Sequence, residues 1–355
     1  MTTRERFLKI MRYETVDALP LFTVDPWERD TLKNWRTQGL PENQQPEEFL
    51  QMGARHILPV FFMPYPPFGR KILSEDDTYR IELSDMGATV KRRKDFPSMY
   101  YGYTDFPVKT AGDWQEYKKR FSPGEYRYGD DLEDMAEEAR LSENPVCLML
   151  YPFFMRLGFY SMGFERFLTA FYDEPEFMHG MFDFWSAFVA ATIQPVLEKI
   201  KPDFVTIEED LAFKNGPHMS PAIYKEFWIP YQNRVIDLVQ KACVPHICMY
   251  TSGDCRALLP LMMENGINMT CTVDRNSNMD PIALRKEFGR GLTMLGGVGK
   301  HTLMAGEYAI DKELERLMPL MEEGGFIPAC DDMIPPEVPF ANYCYFINKC
   351  REIKF

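Results

Sequence analysis

The chain has no apolar run approaching the roughly 18 residues that a membrane-spanning helix needs, which excludes an integral helical membrane protein. Its first twenty residues, MTTRERFLKIMRYETVDALP, carry charges throughout and have no apolar stretch of signal-peptide length. Positive charge is also scarce: 40 Lys and Arg stand against 53 Asp and Glu, a net charge of −13. That balance argues against nucleic acid or an anionic membrane as partner, because phosphate surfaces demand clustered cations. Linkers, low-complexity tracts and internal repeats are missing as well. The eight cysteines are scattered, and several sit inside apolar stretches such as NPVCLML and NMTCTV, unlike a disulfide framework. These absences point to a reduced, cytoplasmic protein that acts on a small molecule.

What is present suits a large core. Hydrophobic residues make up 45% of the 355, charged residues 26%, and 23 methionines supply adaptable packing. Short β-branched and aromatic runs alternate with longer segments of helical period, the pattern of repeated βα units around a parallel sheet. The strand candidates are LPLFTV (19–24), HILPVFF (56–62), VCLMLYPF (146–153), DFVTIEE (203–209), PHICMYT (245–251), NMTCTV (268–273), LTMLGGV (292–298) and GFIPAC (325–330). Helix signals fill most gaps: Ser220 before Pro221 reads as an N-cap, and DPIALRKEFG has both an Asp cap and a glycine stop. Eight such units predict a (β/α)8 TIM barrel of the α/β class, spanning 1–355 as one domain with a helical extension at the N-terminus. Residues 71–107, where alternation and turn residues dominate, predict an inserted β-hairpin that walls the barrel top.

Barrel chemistry sits at the C-terminal ends of the strands. That rule nominates Asp25, Trp27 and Glu28 after the first strand, and Tyr151 and Arg156 after the third. Glu208, Glu209 and Asp210 follow the fourth, and Tyr250, Thr251, Ser252 and Asp254 the fifth. Asp274 and Arg275 follow the sixth, Lys300 and His301 the seventh, and Cys330, Asp331 and Asp332 the eighth. The rim is acidic, suited to holding a cation or to acid–base chemistry, while Arg156, Arg275 and Lys300 offer ion-pair partners that would make some acids structural. The stretch VPHICMYTSGDC also places His246 and Cys248 side by side, and with Cys330 they form a candidate zinc set.

Five segments resemble the uroporphyrinogen decarboxylase superfamily, in that family's order: TTRERFLKIMRYETVDALPL, DFVTIEEDLAFKNGPHMSPAIYKEFWIPY, YTSGDCRALLPLMMENGIN, LGGVGK and EEGGFIPACDDMIPPEVPFANYCYFI. The resemblance implies the same barrel, and it implies either decarboxylation or cobalamin-dependent methyl transfer. The decarboxylase branch has an arginine-rich loop after the first strand and an acid after the second. Here those places read VDPWERD and FFMPYPPFGRK, so a polyanionic tetrapyrrole meets like charge. The thiol methyltransferase branch has a His-x-Cys-Gly after strand five. Alignment on Gly253 puts Tyr250 and Ser252 in those places, with His246 and Cys248 four residues early, deeper in the barrel. Cys330 alone matches the third ligand.

The segments EED (208–210), SGD (252–254) and DD-x-x-PP (331–336) are similar to a third branch, with members that resemble components of corrinoid methyl-transfer systems. This implies a methyltransferase-like enzyme acting on a small methylated or methyl-accepting compound, with the corrinoid on a partner protein. Glu209, Asp210, Asp254, Asp332 and His301 are its candidate acid–base groups. Asp25, Trp27, Arg156, His218, Tyr250, Ser252 and Lys300 are its candidate substrate contacts. The alternatives are a decarboxylase, of a porphyrinogen or a smaller acid, and a non-catalytic barrel that binds a ligand or a corrinoid protein. The aromatic runs SMYYGYTDF and NYCYF are candidate faces for a homodimer.

Overall fold

The computed structural model describes residues 1–24, 27, 29–95 and 102–355. In chain order, α1 (Thr3–Met11), α2 (Arg29–Thr37) and α3 (Pro46–Phe49) precede β1 (His56–Ile57). Then come β2 (Lys71–Glu75), β3 (Tyr79–Leu83), β4 (Thr89–Arg93), β5 (Gly102–Asp105), α4 (Ala111–Tyr117), α5 (Leu132–Leu141) and β6 (Val146–Leu150). Helices α6 (Phe154–Met162), α7 (Phe164–Asp173) and α8 (Pro175–Lys199) lead to β7 (Phe204–Glu208) and a ribbon of β8 (Ala212–Phe213) with β9 (Gly216–Pro217). A π-helical turn at Tyr224–Trp228 joins α9 (Pro221–Ile223) to α10 (Ile229–Lys241), which returns the chain to β10 (His246–Tyr250). The last third runs α11 (Leu259–Glu264), β11 (Met269–Thr272), α12 (Pro281–Phe288), β12 (Thr293–Val298), α13 (Lys300–Ala305), α14 (Glu307–Glu323), β13 (Phe326–Cys330) and α15 (Phe340–Glu352).

Seven strands form one curled parallel sheet in the order β1-β6-β7-β10-β11-β12-β13, a TIM-barrel-like α/β fold. Its strands are buried on both faces, as parallel strands under helices must be, which explains their unbroken apolar runs. The expected first strand, 19–24, is a correction. It makes an isolated parallel bridge, Phe22 to Gly53, instead of a ladder. It also lines a small cavity with Pro328, Ala329 and Cys330, so it stands in the gap between the sheet's two edge strands. Pro20 lacks the N–H that a regular ladder there needs. The second candidate, 56–62, shortens to two laddered residues, because Pro59 likewise cannot donate.

The inserted hairpin is also corrected, to a four-stranded antiparallel sheet, β2-β3-β4-β5. Turn chemistry within the window suffices for more than one reversal: the Asp76 carboxylate accepts from the Thr78 and Tyr79 amides, and Gly87 turns at φ +86°. Of the two aromatic runs, NYCYF lies on α15, with Tyr343 buried against Trp27 and Trp35. SMYYGYTDF falls partly outside the described residues.

Helix α1 is the N-terminal extension, started by a Thr2–Glu5 capping box. It closes the N-terminal end of the barrel. Phe7 packs on Phe204 at 5.1 Å, Arg4 pairs with Asp203 at 2.8 Å, and the Gly325 amide donates to the Ile10 carbonyl at 2.7 Å. Among the described residues, no helix is long and apolar enough to cross a membrane.

Candidate functional site

With one end sealed by α1, the mouth at the strands' C-terminal ends is the place for a ligand. Two buried carboxylates organise it. Glu209, just beyond β7, has no solvent exposure. It accepts from the Trp228 indole N–H at 2.9 Å and from the Met155 amide at 2.7 Å. Met155 lies in the first turn of α6, whose own N-cap residue, Phe153, offers no side-chain bond. Glu209 therefore caps α6 from the adjacent strand. Burial pushes its carboxyl up to about 8, against the pull of Trp228, Met155 and Arg156, which favour the charged form.

Asp331, just beyond β13, repeats this device. It is fully buried and accepts from the Lys300 amide, at the start of α13, and from the Arg275 amide, each at 3.0 Å. Burial pushes it up to about 7, with Asp274 adding to the rise. The glycine-rich LGGVGK turn thus holds a carboxylate of the protein itself at the helix start.

Capping of α6 places Arg156 at the mouth. Its nearest acid, Asp210, is 3.4 Å away across a half-buried pair. Burial works against the guanidinium charge, but Asp210, Tyr160, Tyr151 and Glu208 together hold its pKa above the usual value. Asp210 moves up: burial raises it, Arg156 opposes, and Asp332 across the mouth adds repulsion. Tyr151 and Tyr160 share a hydroxyl–hydroxyl hydrogen bond beside this pair. From the inserted sheet, Tyr103 packs edge-on against Phe159 at 5.0 Å and lies 5.9 Å from Tyr160, so the insertion walls this side. Opposite, Lys300 donates to Asp332 at 2.6 Å.

The β8–β9 ribbon forms another wall. Gly253 has φ +79°, and a Cβ on it would stand 2.4 Å from the Ala212 carbonyl oxygen, so only glycine lets the loop after β10 pass under the ribbon. The Asp254 amide then donates to the Phe213 carbonyl at 2.8 Å. His218 follows the ribbon, with its ring edge-on between Phe213 at 4.0 Å and Phe164 at 4.9 Å. Its Nδ1 is buried with no hydrogen-bond partner among the described residues. Burial lowers its pKa to about 4, and the charge of Arg156 contributes.

The remaining candidates are dispersed. Asp254 accepts from the Arg256 amide and from Asn278, which ties the loop after β10 to the loop after β11. Tyr250 and Ser252 are half-buried at the end of β10. Trp27 donates to Glu47 at 3.0 Å and packs on Trp35 at 5.0 Å. His301 is exposed on α13. Asp25 and Glu28 lie outside the described residues. The zinc candidates lie apart: His246 opens β10 near Phe7 at the closed end, Cys248 is buried mid-strand, and Cys330 ends β13. Strand parity does align His246 with Tyr250, but at the opposite end of a packed strand. Among the described residues, no three His, Cys, Asp or Glu side chains converge as a metal site. Sequence reasoning did not single out Tyr160 or Trp228. Tyr160 lies one helical turn after Arg156, a spacing that could have flagged it. Trp228 is far from Glu209 in the sequence and gave no signal.

Comparison with known proteins fits this architecture. The family model for uroporphyrinogen decarboxylase (URO-D) matches residues 145–353. Among solved structures, a methyltransferase from Methanosarcina mazei is similar over 99% of this chain and 99% of its own, with a TM-score of 0.62 and 15% sequence identity. No curated protein matches the chain.

Proposed function

The chain belongs to the uroporphyrinogen decarboxylase family, and from that premise we propose that it is a corrinoid-linked methyltransferase acting on a small methylated or methyl-accepting compound. The observation that carries the proposal is the pairing of Arg156 with the half-buried Asp210, whose carboxyl is held above its ordinary value, beside the Tyr151–Tyr160 hydroxyls. A structural neighbour named as a methyltransferase lends support. A corrinoid carried by a partner protein would serve as the methyl acceptor or donor. This chain's residues do the rest. Arg156 and the tyrosine hydroxyls orient the methyl compound against the aromatic wall. Asp210 holds a proton for the heteroatom that loses its methyl group, and takes one back in the reverse direction. Glu209 does not reach the substrate in this scheme, because both its oxygens are occupied by donors of the scaffold.

The test is methyl exchange with methylcobalamin across oxygen, nitrogen and sulfur methyl compounds. Exchange with at least one compound is expected, and Asp210→Asn should slow it by about 100-fold. Turnover of uroporphyrinogen without methyl exchange would replace this reading with the decarboxylase one. Ligand binding unaffected by Asp210→Asn, with neither activity, would leave a non-catalytic barrel.

A further inference from the structure

Arg156 and Lys300, two cations at the mouth, are not equally satisfied. Lys300 meets Asp332 at 2.6 Å. Among the described residues, Arg156 has the 3.4 Å approach to Asp210 as its one ion pair, and its Nε is shut off from solvent without an acceptor. Elsewhere in the fold Arg127 gives its donors to the carbonyls of Ser122, Met63 and Arg120, whereas Arg36, Arg166 and Arg285 each keep a buried Nε without an acceptor among the described residues. An unmet buried N–H is costly, and what sets Arg156 apart is its place at the mouth, where a ligand can supply the acceptor. A second unmet atom stands close by. The His218 amide donates to the Leu211 carbonyl at 2.8 Å, next to the Asp210 that pairs with Arg156, and its Nδ1 is buried without a partner among the described residues, in a ring clasped by Phe164 and Phe213.

We infer that Arg156 and His218 form the recognition site for a carboxylate carried by the substrate, with Phe164 and Phe213 lying against the substrate's apolar body. A carboxylate offers the planar pair of acceptors that a guanidinium fork matches, and a spare lone pair for an imidazole N–H. A neutral amide of the same shape would turn an N–H toward the guanidinium and lose the charge. A point cation such as Lys at 156 would keep the attraction and lose the fork. The inference rests on the methyl-transfer reading only for the word substrate. It locates the anion through Arg156, and not through the Lys300 side of the mouth, where Asp332 already fills the acceptor role.

The experiment is isothermal titration of the full chain with benzoate, 3-phenylpropanoate and, as the uncharged control, benzamide. At least one of the two carboxylates should bind saturably and benzamide should not. Arg156→Met should abolish binding, Arg156→Lys should weaken it by about tenfold, and His218→Phe should weaken it by several-fold, roughly one hydrogen bond's worth. Circular dichroism checks the fold of each variant, and if Arg156→Met does not fold, Arg156→Lys decides. No binding of either carboxylate, equal binding of benzamide, or wild-type affinity in the Arg156 variant that folds would overturn the inference. Turnover is not read here, so the two ideas fail separately: carboxylate binding without any methyl exchange removes the methyl-transfer reading alone, and exchange with only neutral compounds removes this one alone.

Discussion

Raising the pH from about 6 to about 9 should lower the melting temperature of this protein, and Glu209 should account for most of the fall. Its carboxyl sits at about 8 in the fold against an ordinary value of 4.5, because no water reaches it. A folded pKa above the unfolded one means stability that is complete below about 4.5 and is lost as the pH climbs through about 8. At about 1.4 kcal/mol for each tenfold, the full span is on the order of 5 kcal/mol, of which about 3 kcal/mol falls between pH 6 and 9. Asp331, held at about 7 against 3.8, adds about 1.5 kcal/mol over the same range. For a chain of this length those amounts correspond to a drop of about 5 °C.

Thermal unfolding followed by circular dichroism across that pH range measures the effect, and Glu209→Gln isolates its source. The amide carries no titratable proton, so the variant should lose the Glu209 share of the fall, about 3 kcal/mol between pH 6 and 9. It should also start lower, by about 1–3 kcal/mol. One amide oxygen can serve Met155 or Trp228, but its NH2 then faces the other donor. A wild-type melting temperature that is flat or rising over this range, or a variant that falls as steeply as the wild type, would refute the assignment of Glu209 as a buried cap that resists ionisation.

Trp228→Phe removes the indole N–H that favours the charged form, so it should cost about 1 kcal/mol and move the pH-dependent loss to higher pH, read in the same melts. Gly253→Ala forces a Cβ to within 2.4 Å of the Ala212 carbonyl at φ +79°; denaturant unfolding should show a loss of about 2 kcal/mol or more, and limited proteolysis should find the ribbon near Lys214 opened. Elemental analysis of protein purified without added metal should find zinc well below stoichiometry, unchanged in Cys330→Ser. Stoichiometric zinc lost in that variant would mean that His246, Cys248 and Cys330 meet after all.

The barrel was legible because its strands are apolar runs bounded by capped helices, a signal carried by neighbouring residues. Ser220, Asp280 and the glycine after α12 do the capping jobs that their spacing predicts. The misreadings came from proline and from distance. Pro20 and Pro59 are visible in the sequence, yet their effect on a ladder depends on which N–H groups the neighbouring strand requires. For the zinc candidates, strand parity tells which way a side chain points and not how deep it sits. Arg156 and Asp210 could be placed at the mouth by the rule of strand ends, but the 3.4 Å between them depends on how α6 is held, and that hold comes from Glu209, fifty-three residues along the chain.

The acidity of the rim has more than one origin, and the difference is structural. A helix that follows a barrel strand begins at the mouth with amides that lack partners. For α6 and α13 no residue at the helix's own N-cap position supplies a side-chain acceptor: Phe153 and Gly299 occupy those places. In both cases the acceptor is a buried acid from the end of the next strand in the sheet, Glu209 for α6 and Asp331 for α13. Each acid is followed at once by another that stays at the mouth, Asp210 after Glu209 and Asp332 after Asp331, paired with the cation of the helix so capped, Arg156 or Lys300. The doublets Glu209–Asp210 and Asp331–Asp332 therefore divide their labour along the chain: the inner carboxylate fixes the helix, and the outer one faces the cation that the helix presents. Replacing an inner acid should disturb the mouth through the helix it holds, while replacing an outer one should change charge at the mouth and leave the scaffold in place.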